Sequence, residues 1–299
     1  MMKNLYHFTV RTASEGRGMI RLLRSPLPTP LKSKILKTEL VLGALRLRNT
    51  SDSTVRARVL DFEVRAYSLP DLAMLHREIF TNAEYFFLSE RPDPFILDCG
   101  SNIGMSILFF KALYPEARII GFEPAEHTYG LLKQNISSND LKGVEVHRAA
   151  LGMEDSTVDF FVYPENQNSF LASTIRDRMP HKRTVVQQVR LSRFIDREVD
   201  LLKLDVEGAE DDVLKDLMSS GAISKIDQMI VEYHHHIDEK KDTFSSFLGG
   251  LEESGFGYQI STSFHNPNSA RISRGRTFQD ILVYAYRKSP PLASATTSS

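Results

Sequence analysis

A single cysteine, Cys99, stands in a chain of 299 residues. One cysteine cannot close an intrachain disulfide, so the chain reads as built for a reducing, cytoplasmic compartment. Charge of one sign is missing too. The formal net charge is −1, which argues against a dedicated nucleic-acid binder, since those are usually strongly basic. No apolar run reaches the ~18 residues of a membrane span. No hydrophobic block with a small-residue cleavage site marks the N-terminus as a signal peptide, and no solenoid-length repeat is present. What is there is ordinary for a globular protein: 41% hydrophobic and 25% charged residues, enough for one large domain or two small ones.

The charge is unevenly spread. Residues 1–50 carry ten Lys and Arg against two Asp and Glu, a net of +8, which leaves −9 on the remainder. This stretch reads as a basic, partly ordered arm able to touch an anionic partner, and "SPLPTP" (Ser25–Pro30) reads as a connector. Residues 51–92 read as a cap. "VRARVLDFEVRAY" alternates like strands or a hairpin, and Leu72, Leu75, Ile79 and Phe80 then share one helical face. Residues 93–288 form the main unit, and 289–299 read as a disordered tail.

From Phe95 onward strand and helix patterns alternate: "PFILD", "GMSILFFKALYP", "ARIIGFEP", "AEHTYGLLKQNISS", "VEVHRAAL", then "VDLLKLD", "EGAEDDVLKDLMSSG" and "IDQMIVEY". Such alternation predicts an α/β fold with a mostly parallel sheet and helices on both faces. Short β-rich insertions interrupt it after residue 155.

Ligands of such sheets bind beyond the carboxyl ends of strands. "FILDCGSNIG" puts Asp98 at such an end. Gly100 then allows the turn, and Gly104 allows close helix packing or ligand approach. A dinucleotide fingerprint, G-x-G-x-x-G, would need a second glycine at Asn102 and a third at Met105, so a pyrophosphate site is poorly supported. The pattern is D-x-G-x-N-x-G. An acid before the glycines repels phosphate but suits a cation such as S-adenosylmethionine. Glu123 ends the next strand, 19 residues after Gly104, where an acid can accept bonds from ribose hydroxyls.

"VDLLKLDVEGAE" repeats the design of strand, acid, glycine and helix. If this strand pairs with "FILD", ~4.8 Å away, Asp205 sits beside Asp98 where a transferred methyl group would be presented. "DCGSNIG", "GFEP" and "LLKLDVEGAE", in that order, resemble the FkbM-type methyltransferases over roughly residues 75 to 285. The resemblance implies a Rossmann-like class I fold: a mostly parallel seven-stranded sheet with an antiparallel last strand, which "YQIS" and "FQDILVYAYR" would close. It implies S-adenosylmethionine as cofactor. The implied reaction is methyl transfer to a hydroxyl of a small natural product or sugar. Asp98, Gly100, Asn102 and Gly104 would line the methionine end, Glu123 would hold the ribose, and Ser101 and Pro124 complete the cofactor set. "VHRAALG" offers no acid for adenine.

"VEYHHHIDE" places His234, His235 and His236 after a strand. Successive strand residues point to opposite faces, so the three do not converge on one metal ion, and no metal is expected. An imidazole near pKa 6.5 can take a hydroxyl proton. Asp205 and His234 are therefore alternative bases, with Glu207 orienting the acceptor. The acceptor pocket is assigned to the cap and to the insertion "YPENQNSFLAST". Rival functions are methylation of nitrogen, protein or RNA, for which D/N-P-P-Y is absent after the fourth strand; a non-catalytic cofactor-binding module; and an NAD-dependent oxidoreductase.

Overall fold

The computed structural model describes residues 18–48, 54–162, 172–173, 182–235, 243–262 and 279–288. Its centre is a seven-stranded sheet of β3 (Phe95–Cys99), β4 (Arg118–Phe122), β5 (Val144–His147), β10 (Val199–Leu204), β11 (Ile226–His235), β12 (Phe256–Thr262) and β13 (Gln279–Arg287). The strand order is β12-β13-β11-β10-β3-β4-β5. Strands β3, β4, β5, β10 and β11 pair in parallel, and β13 runs antiparallel to both neighbours. This is the class I methyltransferase arrangement, with the closing antiparallel pair where the sequence predicts it.

β3 is buried along its whole length, as expected of a parallel strand covered on both faces. The helices α3 (Met105–Leu113), α4 (Glu126–Ser138), α5 (Glu210–Ser219) and α6 (Phe244–Glu253) cover the sheet. In α3 every residue from Met105 to Lys111 is buried, matching its nearly continuous apolar sequence. Chain order jumps from β3 outward to β4 on one side and to β10 on the other. The crevice between their carboxyl ends is the switch point where such folds bind ligands. After β5, the strands β6 (Ala150–Leu151), β7 (Ser156–Val162), β8 (Ala172–Ser173) and β9 (Lys182–Val189) make a second sheet, ordered β6-β9-β7-β8.

In front of the main sheet lies a layer built from α1 (Thr29–Arg48), the hairpin β1 (Val55–Val59) and β2 (Phe62–Ala66), and α2 (Leu69–His76). A π-helical turn follows over Arg77–Thr81. Residues 25–27 bend before α1 begins, at the proline-rich connector. Within the basic stretch, residues 18–48 contribute to a core. Leu22, Leu27, Leu31, Ile35 and Leu42 are buried in one core with Phe80, Phe109 and Phe110. A second core lies across the sheet, around Leu97, Cys99, Leu202 and Phe247. Cys99 is a packing residue there, and burial pushes its thiol well above the ordinary value. Among the described residues no helix is long and apolar enough to cross a membrane. The insertion "YPENQNSFLAST" lies outside the described residues except for Ala172–Ser173, as do His236 and the tail 289–299.

Candidate active site

The turn after β3 is built around a close approach of two strand ends. Gly100 has φ +85°, and a Cβ on it would come within 1.8 Å of the Asp205 carbonyl oxygen. Only glycine fits there. The N–H groups of Gly100 and Ser101 donate to the Phe122 carbonyl at 3.0 and 2.8 Å. The turn is therefore pinned to β4 on one side and pressed against β10 on the other. Asn102 follows at φ 50°. Its N–H donates to Glu123 Oε2 at 3.1 Å, and the Ala125 N–H donates to Glu123 Oε1 at 2.9 Å. Burial pushes the Glu123 carboxyl up to about 7, against the pull of those two N–H groups and of Lys203, while Asp205 raises it further.

A cleft opens above these residues. Gly100, Asn102, Glu123, Pro124, Asp205 and Glu207 stand on its wall, as does the apolar group Phe122, Ala149, Ala150, Leu151 and Phe160. Three residues of the expected cofactor set stand behind the wall instead. Ser101 is buried, and its hydroxyl donates to the Asp98 carbonyl at 2.9 Å. Gly104, at φ +92°, leaves room for Leu132, whose Cδ1 would lie 2.8 Å from an added Cβ. Of the two uses open to Gly104, the geometry serves helix packing. Asp98 is fully buried, its Oδ2 accepting from Ser106 Oγ at 2.7 Å. Its Oδ1 has no hydrogen-bond partner among the described residues and lies 3.7 Å from Lys203 Nζ.

β10 does pair with β3, but Lys203, not Asp205, is opposite Asp98. Asp205 lies just past the strand end, where its N–H donates to the Cys99 carbonyl at 3.0 Å. Beyond it begins a dense set of charged groups. His234 is buried with Nδ1 2.8 Å from Glu210 Oε1 and Nε2 3.0 Å from Glu207 Oε2. Asp205 Oδ1 and Asp280 Oδ1 lie 3.9 and 3.8 Å from Nε2. Burial opposes the charge on His234, but Glu210, Asp205 and Glu232 outweigh it and raise the imidazole to about 9. The surrounding carboxyl groups thus favour the protonated form of His234. Glu232 is pushed up to about 8 by burial and by Asp205. Glu78, on the π-helical turn, rises to about 7 by burial, then by Asp205 and Asp280. The turn thus carries the front layer's own carboxyl to the same place, and π-helical turns are frequent at functional sites.

Asp205, Glu207 and His234 bring ligand-type atoms within 4.8 Å of one another, as do Glu232, His234 and Asp280. In the structure His234 already bridges Glu210 and Glu207 with both ring nitrogens. His235 turns away toward the rings of Tyr233 and Phe244.

Sequence reading missed Lys203 and Phe160, and left Glu210 between a site role and a helix N-terminal acid. Lys203 had a signal: a lysine set among the leucines Leu201, Leu202 and Leu204. Phe160 had none, because it reaches the cleft from a separate sheet.

The cleft fits S-adenosylmethionine by its donor set. A buried carboxylate stands at one wall for hydroxyl groups, apolar side chains suit a flat ring, and the Gly100 turn leaves no Cβ in the way.

Residues 98–259 match the family model of the methyltransferase FkbM domain. Methyltransferase 1 of Beauveria bassiana is 32% identical over 226 residues, covering 67% of this chain and 88% of that protein. Methyltransferase sdnD of Sordaria araneosa is 32% identical over 182 residues, 50% of this chain and 70% of the relative. The 2-O-methyltransferase NoeI of Sinorhizobium fredii is 29% identical over 160 residues, 47% of this chain and 61% of the relative.

Proposed function

The chain belongs to the FkbM methyltransferase family, and from that premise we propose that it methylates a hydroxyl oxygen of a small acceptor, a natural product or a sugar, with Asp205 taking the proton. The coarser activity, S-adenosylmethionine-dependent methyl transfer, comes with the family. The oxygen acceptor is supported by relatives such as the 2-O-methyltransferase NoeI. The observation that carries the residue assignment is the position of Asp205. It stands on the wall of the cofactor cleft and at the edge of the charged set around His234.

When bound, S-adenosylmethionine supplies a methyl group already activated on a sulfonium. The protein's task is alignment, exclusion of water and removal of one proton. Glu123 would accept hydrogen bonds from the ribose hydroxyls, Gly100 and Asn102 would border the methionine end, and Phe122, Leu151 and Phe160 would enclose the adenine. With the cofactor bound, Asp205 would take the acceptor's hydroxyl proton, the methyl passing from sulfur to oxygen and the thioether leaving. The carboxyl groups around His234 raise its affinity for a proton, which favours Asp205 over it as base. His234 then serves as the cation that holds Glu207 and Glu210 in place. Transfer to an amino nitrogen is a second reading, favoured by the carboxyl groups of Glu78, Glu232 and Asp280 around the same edge.

The test is labelled-methyl transfer to a panel of hydroxylated metabolites and amines. An O-methylated product is expected, with Asp205→Asn slower by ~10²-fold or more and cofactor affinity by calorimetry unchanged. Full turnover by folded Asp205→Asn would move the base elsewhere. Products formed only with amines would establish the second reading.

A further inference from the structure

Lys203 is a lysine where its neighbours on β10 are leucines. Leu201, Leu202 and Leu204 are fully buried, and the Lys203 side chain is only 2% exposed. A buried ammonium has a large desolvation cost unless its N–H groups are met. Here they are met by particular atoms. Nζ lies 2.6 Å from the Gly100 carbonyl, 3.3 Å from the Cys99 carbonyl and 3.2 Å from Asp205 Oδ2. The ring of Tyr85, from the front layer, lies 5.2 Å from it. Burial opposes the charge, but Asp205 and Asp98 hold the lysine above its ordinary value.

These partners belong to three parts of the site. Gly100 is the cofactor turn, Asp205 is the proton acceptor, and Tyr85 belongs to the layer that covers them. Lys203 occupies Oδ2 of Asp205, so Oδ1 is the oxygen left for an acceptor proton.

We propose that Lys203 is a positioning residue for methyl transfer: its ammonium ties the Asp205 carboxylate to the Gly100 carbonyl, so that base and cofactor turn are held as one unit. The inference rests on Asp205 being the proton acceptor. A lysine that merely balanced the buried Asp98 would support the fold, and its loss would add to the loss of Asp205 rather than overlap with it.

The test is a double-mutant cycle on the full chain, reading single-turnover rate, cofactor Kd and melting temperature. Lys203→Met is expected to slow the rate by ~10²-fold while cofactor Kd rises less than ~10-fold. In the Asp205→Asn background the same change should cost little more, because the two residues act together. Multiplying losses would overturn the inference and leave Asp205 in place. Full activity of Asp205→Asn would remove Asp205 and this inference together. An unaltered rate in folded Lys203→Met would also overturn it. Should Lys203→Met not fold, Lys203→Gln keeps a donor for the Gly100 carbonyl and is read the same way. Failure of both to fold would assign Lys203 to the core alone.

Discussion

Glu123 is held by two backbone N–H groups yet buried enough to titrate near neutrality. Hydroxyl groups donate more strongly to a carboxylate than to a neutral carboxyl, so cofactor binding should draw out the ionised form. Below the raised value of about 7 binding must release a proton. Cofactor affinity is therefore expected to rise with pH by up to ~10-fold per unit between about pH 5 and 7, then level off. The sign for folding is opposite. A carboxyl raised from 4.5 to about 7 contributes stability below pH 4.5 that is lost as pH rises through 7. Calorimetry across pH checks the first effect. Glu123→Ala should lose the slope and bind ~1.5–3 kcal/mol more weakly. A flat wild-type profile would take Glu123 out of the site. The acids at strand ends, Asp98, Glu123 and Asp205, were legible because each ends an apolar run. Direction was not. Spacing could not tell that Asp98 and Ser101 face inward, nor that His234 meets Glu210, 24 residues away in the chain.

α1 shows what a pattern of apolar residues hides. Its inner face, Leu31, Ile35 and Leu42, is buried, while Leu40 and Val41 on the other side are exposed. With apolar residues on both sides no single stripe stands out, and the basic residues between them read as an arm. What fixes the helix is polar. Glu39 Oε2 lies 2.9 Å from His76 Nδ1, and Oε1 accepts from Arg77 Nη2 at 2.7 Å. α1 is thereby tied to the residue before Glu78, whose carboxyl is raised by Asp205 and Asp280. Burial works against the Glu39 charge, but hydrogen bonds from His76 and Arg77 prevail and hold the carboxyl down to about 2. A lowered carboxyl contributes stability above its unfolded value of 4.5 that is lost as pH falls through 2. Glu39→Gln is expected to lower stability by about 2–3 kcal/mol at pH 7. The gap to wild type should narrow as pH falls from 4.5 toward 2. Urea melts at pH 7 and pH 3 check this, and an equal gap at both would show that the carboxylate's charge is not what holds the helix.

At the scale of the molecule, strand–helix alternation made the parallel sheet legible, and the acids and glycines placed its switch point. The packing of the front layer on the sheet was not legible, because it depends on which side chains meet across many tens of residues. Leu22, Leu27, Leu31, Ile35 and Leu42 share a core with Phe109 and Phe110 of α3, the helix that starts at the cofactor turn. Burying five such side chains is worth roughly 7–15 kcal/mol at ~1.5–3 kcal/mol each, an upper estimate. Net domain stability is only ~5–15 kcal/mol. Removal of residues 1–48 is therefore expected to prevent native folding rather than to trim a dispensable arm. The truncated chain should lose its cooperative melt, expose α3, and fail to bind S-adenosylmethionine although every residue of the cleft wall is retained. Near-ultraviolet circular dichroism and calorimetry of the 49–299 fragment decide the matter. A fragment with wild-type melting and cofactor affinity would show that the front layer is a separable module and that the cleft is held by the sheet alone.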